Sequence, residues 1–144
     1  MAKMTITPPT DLMDKLTKLG FSGKEIGKKM LKKGAAILRD EVDSNLKKNL
    51  YRNRAYRKDF PTGALERSIT ISKPKENKNG DLSISVYFKG KDDKGVTNAQ
   101  KAMAMEYGTS KQDAEPFIRP AVSSKEEKVI EAMQAVFNEE VKNT

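Results

Sequence analysis

One stretch restricts the fold more than any other. From Ser22 to about Leu50 the chain carries a helical repeat of apolar residues with no proline in it. Ser22-Gly23-Lys24-Glu25 has the capping-box spacing, Ser at the cap and Glu three residues later. Ile26, Met30, Leu31, Ile37, Leu38 and Val42 fall on one half of the cylinder. Lys28, Lys29, Lys32, Lys33, Arg39, Asp40 and Asp43 fall on the other. Gly27 and Gly34 lie within the stripe, each costing about 1 kcal/mol of helix propensity relative to Ala. Close approach of another group is their expected use. Glu41 also lies on the apolar side and needs a partner. After Ser44 the stripe drifts, and Leu46 and Leu50 leave its line. The helix therefore bends, ends near Asn49, or changes what it packs against.

The rest of the chain must give this helix something to bury against. Met1 to Thr10, with Pro8-Pro9, reads as a loose tail, and Thr10 as the cap of a short helix from Asp11 to Leu19 ended by Gly20. Thr62-Gly63 signals a turn before a strand from Glu66 to Lys73. Leu82, Ile84, Val86 and Phe88 alternate with Ser83, Ser85 and Tyr87, which is a half-buried strand. The two strands should pair as an antiparallel hairpin. Asn98 is a candidate cap for a helix from Ala99 to Tyr107, although Met103, Met105 and Tyr107 alternate and equally allow a strand. Ser123 or Ser124 caps a last helix, with Val129, Met133, Val136 and Phe137, together with Ile130 and Val141, on its apolar face. The expected fold is α+β. A small antiparallel sheet is packed by a long N-terminal helix (22–50) and a C-terminal helix (123–142), with sheet and motif loops over 64–121. Its 144 residues form one domain.

Composition removes several chemistries. The chain has no Cys and no His, so disulfides, thiolate metal sites, Cys nucleophiles and His-based acid–base catalysis are all excluded. No carboxylate sits beside a nucleophile in a recognisable motif, and there is no Gly-rich phosphate loop. Neither a membrane span nor a signal-peptide core is legible. The 36% hydrophobic and 33% charged content suggests a thin core and surfaces that meet other subunits. The net charge of +8 is uneven. Residues 24–58 hold 12 Lys/Arg against 4 Asp/Glu, whereas residues 106–144 hold 5 against 8. Such halves can bind nucleic acid, or each other between copies.

The remaining signal is in two motifs. Met105 to Pro120 contains Glu106-Tyr107-Gly108-Thr109, a polar loop, and Pro116-Phe117-Ile118-Arg119-Pro120. Gly108 and the two prolines make the stretch stiff. Phe117 needs a pocket, and Arg119 can fork onto a carboxylate, for which Glu106 is a candidate. Upstream lies Pro61-Thr62-Gly63-Ala64-Leu65-Glu66-Arg67-Ser68-Ile69. In order and spacing the two motifs resemble the tail-completion, or head–tail joining, family of long-tailed double-stranded-DNA phages and prophages. The resemblance runs roughly from residue 23 to the C-terminus. The segment Leu50 to Pro61, where basic residues interleave with Tyr51, Tyr56 and Phe60, departs from the commoner pattern.

That resemblance implies a non-enzymatic structural protein of the virion neck, assembled in the bacterial cytoplasm. It implies a ring, typically a hexamer, that ends the tail tube and joins it to the head. The implied partners are further copies of itself, the tail tube protein and head connector or adaptor proteins, with no cofactor and no membrane. The expected assembly interface comprises Glu106, Tyr107, Gly108, Thr109, Pro116, Phe117, Arg119 and Pro120, with Gly63 and Leu65. The alternative is a non-specific nucleic-acid-binding protein using residues 24–58, with Arg52, Arg54, Arg57 and Lys58 facing DNA or a lumen.

Overall fold

A computed structural model describes residues 3–52, 64–92, 94–111 and 113–142, with the side chains of 50–52 and 64 excepted. In chain order its elements are β1 (Lys3–Ile6), α1 (Thr10–Lys18), α2 (Phe21–Arg52), α3 (Ala64–Arg67), β2 (Ile69–Ile71), β3 (Lys75–Glu76), β4 (Leu82–Phe88), α4 (Asn98–Tyr107) and α5 (Ile118–Lys142). The fold is α+β: an antiparallel four-stranded sheet packed by the long helices α2 and α5.

α2 is the organising element. Ile26, Met30, Leu31, Leu38 and Val42 are buried and Ile37 is partly so, as the stripe requires. Leu46 is buried too, although it lies off the early stripe. Near its C-terminal end α2 changes partners. Asn45 donates to the Phe117 carbonyl at 3.3 Å, and Asn49 to the carbonyls of Glu115 and Pro116 at 3.0 and 3.1 Å. α5 runs antiparallel to α2. Lys29 meets Glu140 at 3.2 Å and Glu41 meets Lys125 at 3.8 Å, which gives Glu41 the partner its position called for. Gly34 faces Val129 and Met133 of α5, where an added Cβ would lie 3.0 Å from the Val129 side chain.

The α1–α2 corner is tighter still. Gly20 takes φ +64° and ends α1, and its carbonyl accepts from the Lys24 N–H. α2 starts at Phe21, one residue before the expected cap, so Ser22 lies inside its first turn. Thr10 likewise opens α1 rather than capping it; Pro9 occupies the cap and supplies no side-chain bond. A Cβ on Gly23 would sit 1.9 Å from the Leu16 carbonyl oxygen. That neighbour is backbone and cannot rotate away. Gly23→Ala is therefore expected to lose about 1–3 kcal/mol of stability by overpacking, despite better helix propensity. Urea unfolding measures it, and a stabilised Gly23→Ala protein would contradict this packing.

β4 is the central strand. β1 pairs along one edge with Met4 opposite Val86 and Ile6 opposite Ile84, so the expected loose tail contains an edge strand. Its alternation explains the pairing, since Met4 is buried and Lys3 and Thr5 are exposed. β2 and β3 share the other edge of β4, Ile71 opposite Val86 and Lys75 opposite Ser83. Three steps along β4 lead from Val86 to Ser83, while four lead from Ile71 to Lys75 on the partner edge. The extra residue makes a bulge at Ser72–Pro74. There the Ser72 hydroxyl accepts the Ser85 N–H at 3.0 Å, and the Ser72 N–H reaches the Ser85 carbonyl at 2.8 Å. The hydroxyl oxygen takes the place of a backbone carbonyl as the acceptor for the Ser85 N–H.

Three further boundaries differ from expectation. Residues 64–67 are helical, so the strand begins at Ile69 and not at Glu66. Ser68 closes that turn by sending both its N–H and its hydroxyl to the Leu65 carbonyl. The segment before Gly108 is a helix, capped by Thr97 and not Asn98. Thr97 and Gln100 form a reciprocal capping box, and the Asn98 side chain donates instead to the Lys89 carbonyl. α5 begins at Ile118, which leaves Ser123 and Ser124 inside it.

Candidate functional site

The two halves of the Glu106–Pro120 motif meet where α4 ends and α5 begins. Gly108 takes φ +77° and donates to the Ala104 carbonyl at 2.8 Å, stopping α4. The Glu115 N–H then returns to the Met105 carbonyl at 2.7 Å, closing the loop on itself. These bonds bring Glu106 beneath the first turn of α5.

A helix start leaves its first N–H groups without intrahelical partners. Here Glu106 supplies them. Its carboxylate accepts from Phe117 N–H at 2.7 Å, from Ile118 N–H at 3.0 Å and from Arg119 N–H at 2.8 Å. The next residue is Pro120, which has no N–H, so no donor of the first turn is left over. Glu106 itself is 1% exposed. A buried carboxylate is costly unless hydrogen-bonded, and the positive end of the helix dipole favours its charge. On the other side, Asn45 and Asn49 of α2 hold the carbonyls of residues 115–117. The turn is thus clasped by a carboxylate from α4 and by two amides from α2.

The clasp divides the motif into an inner and an outer part. Phe117 is fully buried and meets Phe88 of β4 edge-to-face, with centroids 5.9 Å apart at 80°. Phe117 and Glu106 are both buried within the subunit, behind the residues of the motif that reach its surface. Outward lie Tyr107 at 58% and the Arg119 side chain at 59% exposure. The Arg119 guanidinium stands over the Tyr107 ring at 5.1 Å, and its Nε is 3.6 Å from Glu106 Oε1. At such exposure these contacts orient Arg119 more than they stabilise the fold. Thr109, Pro116 and Pro120 are exposed beside it, and Gly108 is half-buried. Leu65 lies away from this cluster in chain position, half-buried on α3 against the core.

Gly63, Arg54, Arg57 and Lys58 lie outside the described residues, and Arg52 is described only as the last residue of α2. In the described part of the basic segment, Lys24 pairs with Glu76, Lys28 with Glu25, Lys29 with Glu140 and Lys47 with Asp43. Four of its lysines thus meet carboxylates inside the subunit, two of them carboxylates of the segment itself. The residues missed in the sequence are Asn45 and Asn49. Their spacing of four on one helix face was the available signal, but nothing local says which carbonyls they serve.

Residues 10–108 match the family described as "Bacteriophage HK97-gp10, putative tail-component". The match covers more than half of the chain, and the protein belongs to this family of phage tail components. The matched span takes in α1, upstream of where the motif resemblance begins, and ends at Gly108. No curated protein and no solved structure matches the chain.

Proposed function

We propose that this tail component acts at the head–tail junction, where it forms a ring, a hexamer by the resemblance of its motifs, that ends the tail tube and joins it to the head. Its partners in this reading are copies of itself, the tail tube protein and a head connector or adaptor protein, and its role is structural and not catalytic. The observation that carries the reading is the clasp. Glu106 and Phe117 fix the turn from inside, so Tyr107, Thr109, Pro116, Arg119 and Pro120 are presented on a scaffold that loses little entropy on docking. An Arg seated on an aromatic ring at a rigid surface has the chemistry of an interface anchor.

The test is Arg119→Ala. Its backbone N–H remains, so the bond to Glu106 persists and the melting temperature should stay within the change expected of a surface substitution, about 0.5 kcal/mol. Joining of heads to tails, scored as infectious particles when the variant replaces the resident protein, should be lost. Full complementation by Arg119→Ala would remove this residue from the interface. Arg119→Lys is the sharper control, since it keeps charge but not the planar fork.

A further inference from the structure

We propose that successive copies of the chain engage head-to-tail through an apolar knob at the α1–α2 corner, which enters a hollow between β1 and α5 of the next copy. The inference rests on the ring reading above and names the contact that would build the ring.

The knob is Phe21 with Leu19. Phe21 is 77% exposed and Leu19 39%, on either side of Gly20. A scattered surface hydrophobe needs no explanation. These two are paired, they project from a corner, and the corner is rigid. Gly20 is held in the left-handed region, its carbonyl is bonded to the Lys24 N–H, and Gly23 packs directly on the Leu16 backbone. Lys18 and Lys24 flank the pair, both exposed, Lys24 with the Glu76 carboxylate of its own subunit 3.1 Å away.

The hollow has the complementary character. It encloses about 330 Å³ and is lined by apolar groups that include Met4 and Ile6 of β1 and Val122, Ile130 and Met133 of α5. That is the room of roughly ten waters, enough to take an aromatic ring with an aliphatic neighbour. Val122 and Ile130 remain 39% and 43% exposed at its mouth. The one charged residue of the lining is Glu126, opposite in sign to the lysines beside the knob.

The two features lie apart on the same subunit. Leu38 of α2 also lines the hollow, and it is about 25 Å along the helix axis from Phe21 at 1.5 Å per residue. A twofold pair could seat each knob in the other copy's hollow and would stop at two copies; the ring reading calls for the one-way arrangement. Knob into hollow in one direction is a heterologous contact, which repeats from copy to copy and closes into a ring when the rotation allows. A second copy is therefore the occupant that brings both the shape and the charge.

Sedimentation velocity of the full chain tests this with Phe21→Asp and Ile130→Asp. Phe21 is mostly exposed and an acidic residue in the first turn of α2 suits the helix dipole; Ile130→Asp gives up some apolar cover and helix propensity inside α5, and melting curves confirm that both variants are folded. Each variant alone should associate at least about thirtyfold more weakly than the unsubstituted chain, the effect of losing an interface anchor. Mixed one to one, they should form a heterodimer and nothing larger, because one intact knob and one intact hollow remain. Association that survives Phe21→Asp, or a mixture that stays monomeric while the unsubstituted chain assembles, overturns this contact and leaves the ring reading standing; an unsubstituted chain that stops at a dimer overturns the head-to-tail arrangement. An unsubstituted chain that never self-associates overturns the ring reading, and the contact with it.

Discussion

Glu106→Ala is expected to cost about 3–5 kcal/mol of folding stability, because it strips a buried partner from several backbone donors at once. The substitution removes the acceptor of the Phe117, Ile118 and Arg119 N–H groups and opens a polar gap under α5. Losing an ordinary N-cap costs about 1 kcal/mol, since water reaches the freed groups. Here the carboxylate is 1% exposed, so rehydration requires the turn itself to move. For a chain of this length the loss is a drop of roughly 10–17 °C in melting temperature. Glu106→Gln should fall between the two, since its amide keeps the shape but offers a single oxygen. Calorimetry on the three proteins gives the ranking. A Glu106→Ala protein melting within about 2 °C of the unsubstituted chain would show that the capping bonds carry little net stability.

Phe117→Ala is expected to cost a similar amount, about 3–5 kcal/mol, for a different reason. The ring has no exposed surface and stands edge-on to Phe88, so truncation leaves a cavity between the sheet and α5. Phe117→Leu should recover much of the loss, whereas no apolar substitute can rescue Glu106. Because the Phe117 ring and the Glu106 carboxylate hold the same turn in place, the double substitution should cost less than the sum of the two. Urea midpoints for the single and double variants form the cycle, and strict additivity would mean that the two act independently.

Legibility in the sequence followed the range of the interactions involved. The α2 stripe, the β4 alternation and the glycines of close approach depend on periodicity, and their residues lie where that periodicity puts them. The start of α5 does not. Local capping rules search within a few residues, and so they favour Ser123 or Ser124, whereas the actual cap is a Glu more than ten positions upstream. β1 was hidden for a related reason. Four residues beside two prolines carry little pattern until β4 supplies the partner. In the motif, the ability of Arg119 to meet Glu106 could be read from charge. That Glu106 is buried, and spends its oxygens on backbone, could not.

The same clasp has a consequence for how the chain reaches its native state. The first turn of α5 has no local nucleus: its donors wait for α4, and its preceding carbonyls wait for α2. Each bond there closes a loop of the chain, 11 residues to Glu106 and 72 to Asn45. Chain closure of this kind is entropically expensive before the contacts form. The presenting surface around Arg119 is therefore completed late, after the helices it leans on are in place. In the ring proposed above, a partially folded subunit would lack the shape that a neighbour recognises, and docking would wait until the chain is finished.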